Sequence, residues 1–279
     1  NIKDRIARSD TAEADIVTTI EPSVQAFFER ELEQINTSWS SDYTGGIVID
    51  PTTGEIVALA MYPSFDPNNF QAEKNSAIFF NPLVENVYEM GSIIKPLTIA
   101  AGIDAGAITP TTTYTDNGFL KIGIETVSNY DRVGRGVVSM QEVLNQSLNT
   151  GVAFAVQKMG KDTFSKYILN FGLGEKTGID LPNEAAPLVQ NLQSPRDIEH
   201  ATASFGQGIA VSPVAVVRAL SSLANGGTLI TPHLVSEIEY ISGARKKIEF
   251  PKGRQVISPQ TSETISRMLI QTVDSSIIE

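Results

Sequence analysis

Ser92 and Lys95 are the two side chains in this sequence best placed to do chemistry together. A hydroxyl and an amine three residues apart share one face of a helix. Gly91 lets the chain turn tightly into that helix, and Pro96 fits only in a first turn, where no amide hydrogen is needed. The pattern places Ser92 at a helix N-terminus, where free N–H groups and the helix dipole favour negative charge. An amine held beside the hydroxyl in an apolar setting has a lowered pKa and can take the serine proton. That is a nucleophile with its base. Serine-x-x-lysine is a weak pattern alone, since about one is expected by accident in a chain of 279 residues.

A second element, Asn145-Gln146-Ser147-Leu148-Asn149-Thr150-Gly151, lies in a break between two expected helices. Ser147 there can relay a proton between Lys95 and a leaving amine, and Asn149 can hydrogen-bond a substrate amide. Taken alone, an N-cap pair starting a helix is the commoner reading of such residues.

The elements that must position these groups are legible in outline. Residues 1–15 are polar and patternless, and residues 1–20 read as a linker or the end of a preceding module. A helix is expected from Pro22 to about Trp39, with Val24, Phe27, Phe28, Leu32 and Ile35 on one stripe. Gly46 to Met61 reads as a hairpin turning at Asp50-Pro51-Thr52-Thr53-Gly54, with strands apolar enough to be buried on both faces. An ordered loop then feeds the Ser92 helix. Short strands follow to Val138, then helices at 140–146, 149–159 and 161–171. After the glycine loop Phe205-Gly206-Gln207-Gly208 come a helix at 214–225, a hairpin over 228–250 and a last helix from Pro259.

Composition narrows the function classes. With 41% hydrophobic and 19% charged residues the chain has a real core. The net charge of -11 argues against nucleic acid, because phosphate binding needs a basic surface. The one basic cluster (Arg245, Lys246, Lys247, Lys252, Arg254) reads as a solvated turn. Cysteine is absent, which excludes disulfides, thiol catalysis and zinc-thiolate sites. No apolar run approaches the ~18–20 residues that span a bilayer. His200 and His233 lack the nucleophile-elbow context of a serine–histidine–acid triad and read as structural. Gly172, Gly174 and Gly178 have the wrong spacing for a dinucleotide fingerprint.

Together the two motifs resemble those of the penicillin-binding protein transpeptidases. Val48-Ile49-Asp50-Pro51-Thr52-Thr53-Gly54-Glu55-Ile56-Val57-Ala58 is similar to the family's opening hairpin, and Tyr62-Pro63-Ser64-Phe65-Asp66-Pro67-Asn68 to the segment after it. Phe205 to Pro213 and Asn225-Gly226-Gly227 also stand where such proteins carry them. The resemblance covers roughly residues 15–279, with residues 21–279 as the transpeptidase domain, and is nearest to the monofunctional class B members.

The resemblance implies an α/β fold of the penicillin-recognising, β-lactamase-like type: an antiparallel sheet flanked by helices, with a mainly helical subdomain carrying Ser147. It implies that Ser92 is acylated, Lys95 is its base, Ser147 is a proton shuttle and Asn149 contacts substrate. The Ser92 N–H would be half of an oxyanion hole. Peptidoglycan stem peptides and β-lactams are the implied ligands, and cell-wall synthesis proteins the implied partners. The implied location is extracytoplasmic, with a membrane anchor expected in a full-length parent and no cofactor or metal implied. A penicillin sensor, a D,D-carboxypeptidase and a β-lactamase share the same motif logic. One departure stands out. Lys176-Thr177-Gly178 follows a glycine-rich turn rather than lying on a late strand, so the family's third motif is expected beyond Glu279, and the chain would be a fragment, inactive alone.

Overall fold

The computed structural model describes residues 14–277. Helix α2 (Lys95–Asp104) is the axis of the main core. Its sequence is apolar almost all round, and Leu97, Ile99, Ala100 and Ala101 are fully buried. Each such leucine or isoleucine contributes about 1.5–3 kcal/mol over an exposed one. Around it pack α3 (Met140–Asn145), α4 (Asn149–Met159), α5 (Lys161–Asn170), α6 (Asp197–Ala203), α7 (Pro213–Ala224) and α8 (Pro259–Ile277). Proline opens both α7 and α8, as expected of first-turn positions.

A smaller core forms on the hairpin of β2 (Thr44–Ile49) and β3 (Ile56–Tyr62), where Ile56, Val84, Ile179 and Val214 meet. Only one face of β3 is fully covered: Ile56, Ala58 and Ala60 are buried, Val57, Leu59 and Met61 are half-buried, and Val48 on β2 is 36% exposed. The expectation of burial on both faces is thus met on one. Helix α1 (Pro22–Trp39) lies against the hairpin with Leu32 buried and Phe28 over Gly46, while Phe27 and Ile35 of the expected stripe are about half exposed. The buried face instead includes polar groups that serve the sheet. The Gln25 amide exchanges hydrogen bonds with the Leu59 backbone (2.9 and 3.0 Å), and Asn36 donates to Ser41 O and Thr44 Oγ1. A free strand edge needs such partners, and this need rotated the helix away from its purely apolar stripe.

Strand β1 (Ala14–Thr18) pairs antiparallel with β9 (Val235–Tyr240), which also pairs with β10 (Arg245–Lys247). The late hairpin is therefore shorter than the sequence suggested. Pro232 interrupts it, and β8 (Thr228–Leu229) pairs with β11 (Arg254–Gln255) instead. The two arginines of the basic cluster are paired: Arg245 faces Glu237 and Glu239, and Arg254 faces Glu175. Two further ribbons, β4 (Thr113–Asp116) with β7 (Gly136–Ser139) and β5 (Phe119–Ile122) with β6 (Glu125–Ser128), stand beside α3 and α4.

Candidate active site

Ser92 sits in a tight helical turn, Gly91–Ile94, that runs directly into α2. Gly91 has φ +66°, the left-handed conformation glycine adopts at no steric cost, and Pro96 is in the first turn of α2. Ser92 is exposed, whereas Lys95, one turn on, is only 2% exposed.

Burial lowers the Lys95 pKa from 10.5 to about 8, because removing water penalises the ammonium form. The positive end of the helix dipole acts in the same sense. Its amine reaches across to the break between α3 and α4, donating to Ser147 O at 2.5 Å and Ser147 Oγ at 2.8 Å. Among the described residues no carboxylate pairs with this amine. Ser147 is half-buried and has φ +53°, a left-handed conformation uncommon for a non-glycine residue. The turn is held from the α3 side by Ser147 N to Leu144 O (3.2 Å) and Leu148 N to Val143 O (2.9 Å). Asn149 starts α4 and donates its amide to Ser128 O at 3.0 Å.

Two sequence-distant residues, Lys95 and Ser147, are thus in contact. The Ser92 hydroxyl bonds to neither among the described residues, and Asn149 does not touch the amine. A buried ammonium or amine takes the strongest protein acceptors within reach, and an exposed serine hydroxyl can be served by water.

The sequence motifs did not reveal what fixes the Ser92 turn from behind. Residues 204–211 do so. Gly206 O accepts from Gly91 N at 3.3 Å, and a Cβ on Gly206 (φ +77°) would lie 2.4 Å from Gly91 O. Gly208 N donates to Glu89 Oε1 at 2.7 Å, and Thr98 Oγ1 to Ser204 O at 2.8 Å. Tyr88 and Val211 exchange a pair of backbone bonds, both 3.0 Å. The glycine loop is the available signal, since two close backbones leave no room for a side chain.

Residues set aside as structural are occupied as such. His200 is buried between Ser165 Oγ (3.0 Å) and Ser194 O (2.8 Å), and His233 stacks on Phe250. Lys176-Thr177-Gly178 lies in no strand, and the Glu184 carboxylate accepts from Thr177 N and Gly178 N at 2.6 and 3.1 Å. Among the described residues no group of three His, Asp or Glu side chains is arranged to hold a metal ion, and no helix is long and apolar enough to cross a membrane.

A cavity of about 600 Å³ opens beside Ser147, between α3 and the end of α8, lined by Tyr130, Arg135, Glu142 and Gln146 among others. An exposed hydroxyl on a helix start, a buried amine near neutrality and a second hydroxyl on that amine suit acyl transfer. Residues 44–277 match the model of the penicillin binding protein transpeptidase domain. The chain belongs to the penicillin-binding protein transpeptidase family.

Its relatives include class B members. The chain is 33% identical over 262 residues to stage V sporulation protein D of Bacillus subtilis, covering 93% of this chain and 41% of that protein. It is 30% identical over 251 residues to a probable peptidoglycan D,D-transpeptidase FtsI of Caulobacter vibrioides, covering 90% and 41%. The chain therefore spans about two fifths of the length of these relatives. Penicillin binding protein 3 of Mycobacterium tuberculosis, in complex with ampicillin, superposes with a TM-score of 0.88 at 26% identity, over 93% of this chain and 57% of that one. The fold is thus the α/β transpeptidase fold expected from the sequence.

Proposed function

We propose that this domain cross-links peptidoglycan through a serine acyl-enzyme, with Ser92 as nucleophile. The observation that carries the reading is the Lys95 amine, brought to about 8 by burial and seated on Ser147. Ser92 Oγ attacks the penultimate D-alanyl carbonyl of a stem peptide while its proton passes to neutral Lys95. The Ser92 N–H at the helix start stabilises the oxyanion. The tetrahedral intermediate collapses to the Ser92 ester, and the departing D-alanine takes its proton through Ser147. An amine of a neighbouring stem then attacks the ester, giving up its proton along the same path, and the regenerated hydroxyl completes the cycle. Asn149, beside Ser147, is a contact for the substrate amide. β-Lactams acylate the same serine because they imitate the same peptide. The ampicillin complex of the M. tuberculosis relative supports this ligand class.

Relatives named as peptidoglycan D,D-transpeptidases favour transfer over the sensor, carboxypeptidase and β-lactamase alternatives. The same names favour an extracytoplasmic site of action, and other cell-wall synthesis proteins are the partners this reading expects. Residues 21–279 are read as the domain and residues 1–20 as a linker or the end of a preceding non-catalytic module, of which 1–13 lie outside the described residues and Ala14–Thr18 pairs with β9. The test is labelling of the full-length protein with fluorescent penicillin. Label on the wild type that is lost in Ser92→Ala is expected, and label retained in Ser92→Ala overturns the assignment.

A further inference from the structure

The Ser147 turn is gripped on both flanks by one buried carboxylate. Asp116, at the end of β4, is 2% exposed. Its Oδ1 accepts from Gly118 N (3.0 Å), Asn129 Nδ2 (3.1 Å) and Thr150 Oγ1 (2.9 Å). Its Oδ2 accepts from Asn129 Nδ2 (3.0 Å) and Arg135 N (3.1 Å). The Gly118 bond closes the turn that ends β4. Asn129, Thr150 and Arg135 lead from the carboxylate to the α3–α4 break.

We propose that Asp116 is a positioning residue for the acylation machinery, clamping Thr150 on one side of Ser147 and, through Arg135, Gln146 on the other. On the α4 side the link is direct. Thr150 has one hydroxyl proton, and a carboxylate is the stronger of its two acceptors, Asp116 and Asn129 Oδ1. Tyr114 OH lies 2.9 Å from Thr150 Oγ1 and can donate to it. Because Asn129 turns its NH2 to Asp116, its carbonyl faces Thr150 N at 3.2 Å, so the carboxylate also orients the backbone of α4. On the α3 side, Arg135 has its amide on Asp116 Oδ2 and its Nε on Gln146 Oε1 at 2.9 Å. Its guanidinium is fixed by Asp131 at 2.7 and 2.8 Å. Gln146 and Thr150 bracket Ser147-Leu148-Asn149. Ser147 keeps its φ of +53°, a conformation serine holds only under outside constraint, and that conformation turns both its carbonyl and its hydroxyl onto Lys95. The proposal rests on the reading of Ser92 and Lys95 as the acylation pair.

The test is the rate of fluorescent-penicillin acylation of the full-length protein, measured per folded molecule, for Asp116→Asn and for Asp104→Asn as comparator. Asp104 also accepts several bonds at 2.8 Å (Tyr167 OH, Ser258 N, Thr261 Oγ1) but at the far end of α2, so both variants lower Tm. Asp104→Asn is expected to acylate within about twofold of wild type. Asp116→Asn is expected to be about 10- to 100-fold slower, the scale of a misplacement of about 1 Å. In a Ser147→Ala background, the fold-loss from Asp116→Asn should be smaller than in wild type, because the hydroxyl it positions is gone and only the backbone carbonyl remains on Lys95. Thr150→Val cuts only the α4-side link, and stands in for Asp116→Asn should that variant not fold; the same direction and the same non-additivity are expected. Wild-type rates in Asp116→Asn or Thr150→Val, or an undiminished loss in the Ser147→Ala background, overturn the proposal. A wild type that takes no label overturns the Ser92 reading first and this one with it.

Discussion

The pH dependence of acylation follows directly from the burial of Lys95. The amine is 2% exposed, faces two oxygens of Ser147 and, among the described residues, has no carboxylate paired with it. Its pKa falls from 10.5 to about 8. At pH 7 a group titrating at about 8 is neutral in about one molecule in eleven, whereas one at 10.5 is neutral in about one in 3,000. Burial thus enlarges the population able to take the Ser92 proton about 300-fold. The perturbation is pH itself, stepped from 6 to 10, and the assay is stopped-flow acylation of the full-length protein by a fluorescent penicillin under subsaturating conditions. The rate should rise about tenfold per pH unit up to about 8 and level off above it. Lys95→Arg, whose guanidinium stays protonated, should be slower by about 10²–10⁴-fold above pH 8 and should lack the rise between pH 6 and 8. A rate independent of pH between 6 and 8, or an inflection near 10, would refute the argument that burial makes Lys95 the base.

The same shift enters stability with a definite sign. Between about 8 and 10.5 the unfolded chain holds more protons at Lys95 than the folded one, so stability should rise with pH through that window in urea titrations. Lys95→Met should remove that rise. Gly206→Ala would place a methyl 2.4 Å from Gly91 O at a left-handed φ, so it should lower stability by about 2 kcal/mol or more and slow acylation, read by urea unfolding and penicillin labelling. Glu184→Gln should cost about 1–3 kcal/mol by leaving the Thr177–Gly178 turn short of acceptors, yet leave the acylation rate per folded molecule unchanged. Lys176→Ala, at an exposed position, should change neither. A large acylation defect in either of these last two would mean that this turn contacts substrate.

Local chemistry made most of the element boundaries legible. Gly91 and Pro96 mark where α2 begins, and Ser147 to Asn149 mark the break before α4. The structure departs from the apolar pattern where a polar contact outweighs it. In α1 the buried face includes Gln25 and Asn36 because a strand edge needed hydrogen bonds, and no periodicity of apolar residues could show that. In the late hairpin Pro232, with no amide hydrogen to give a ladder, breaks the strand that the apolar pattern predicts.

The sequence by itself determined which side chains are available: one serine and one lysine a helical turn apart, a second serine in a helix break, two glycines where backbones meet, and no cysteine. It also carried the family, because those residues recur with their surrounding segments. Only the tertiary structure decided who touches whom. Lys95 is 52 positions from Ser147 and meets it through packing of α2 against α4, while Asp116 reaches Thr150 across 34 positions. Such contacts arise from how buried faces interlock and from the requirement that every buried polar group find a partner. Neither condition is local, so the wiring of the site could be read only once the chain was folded.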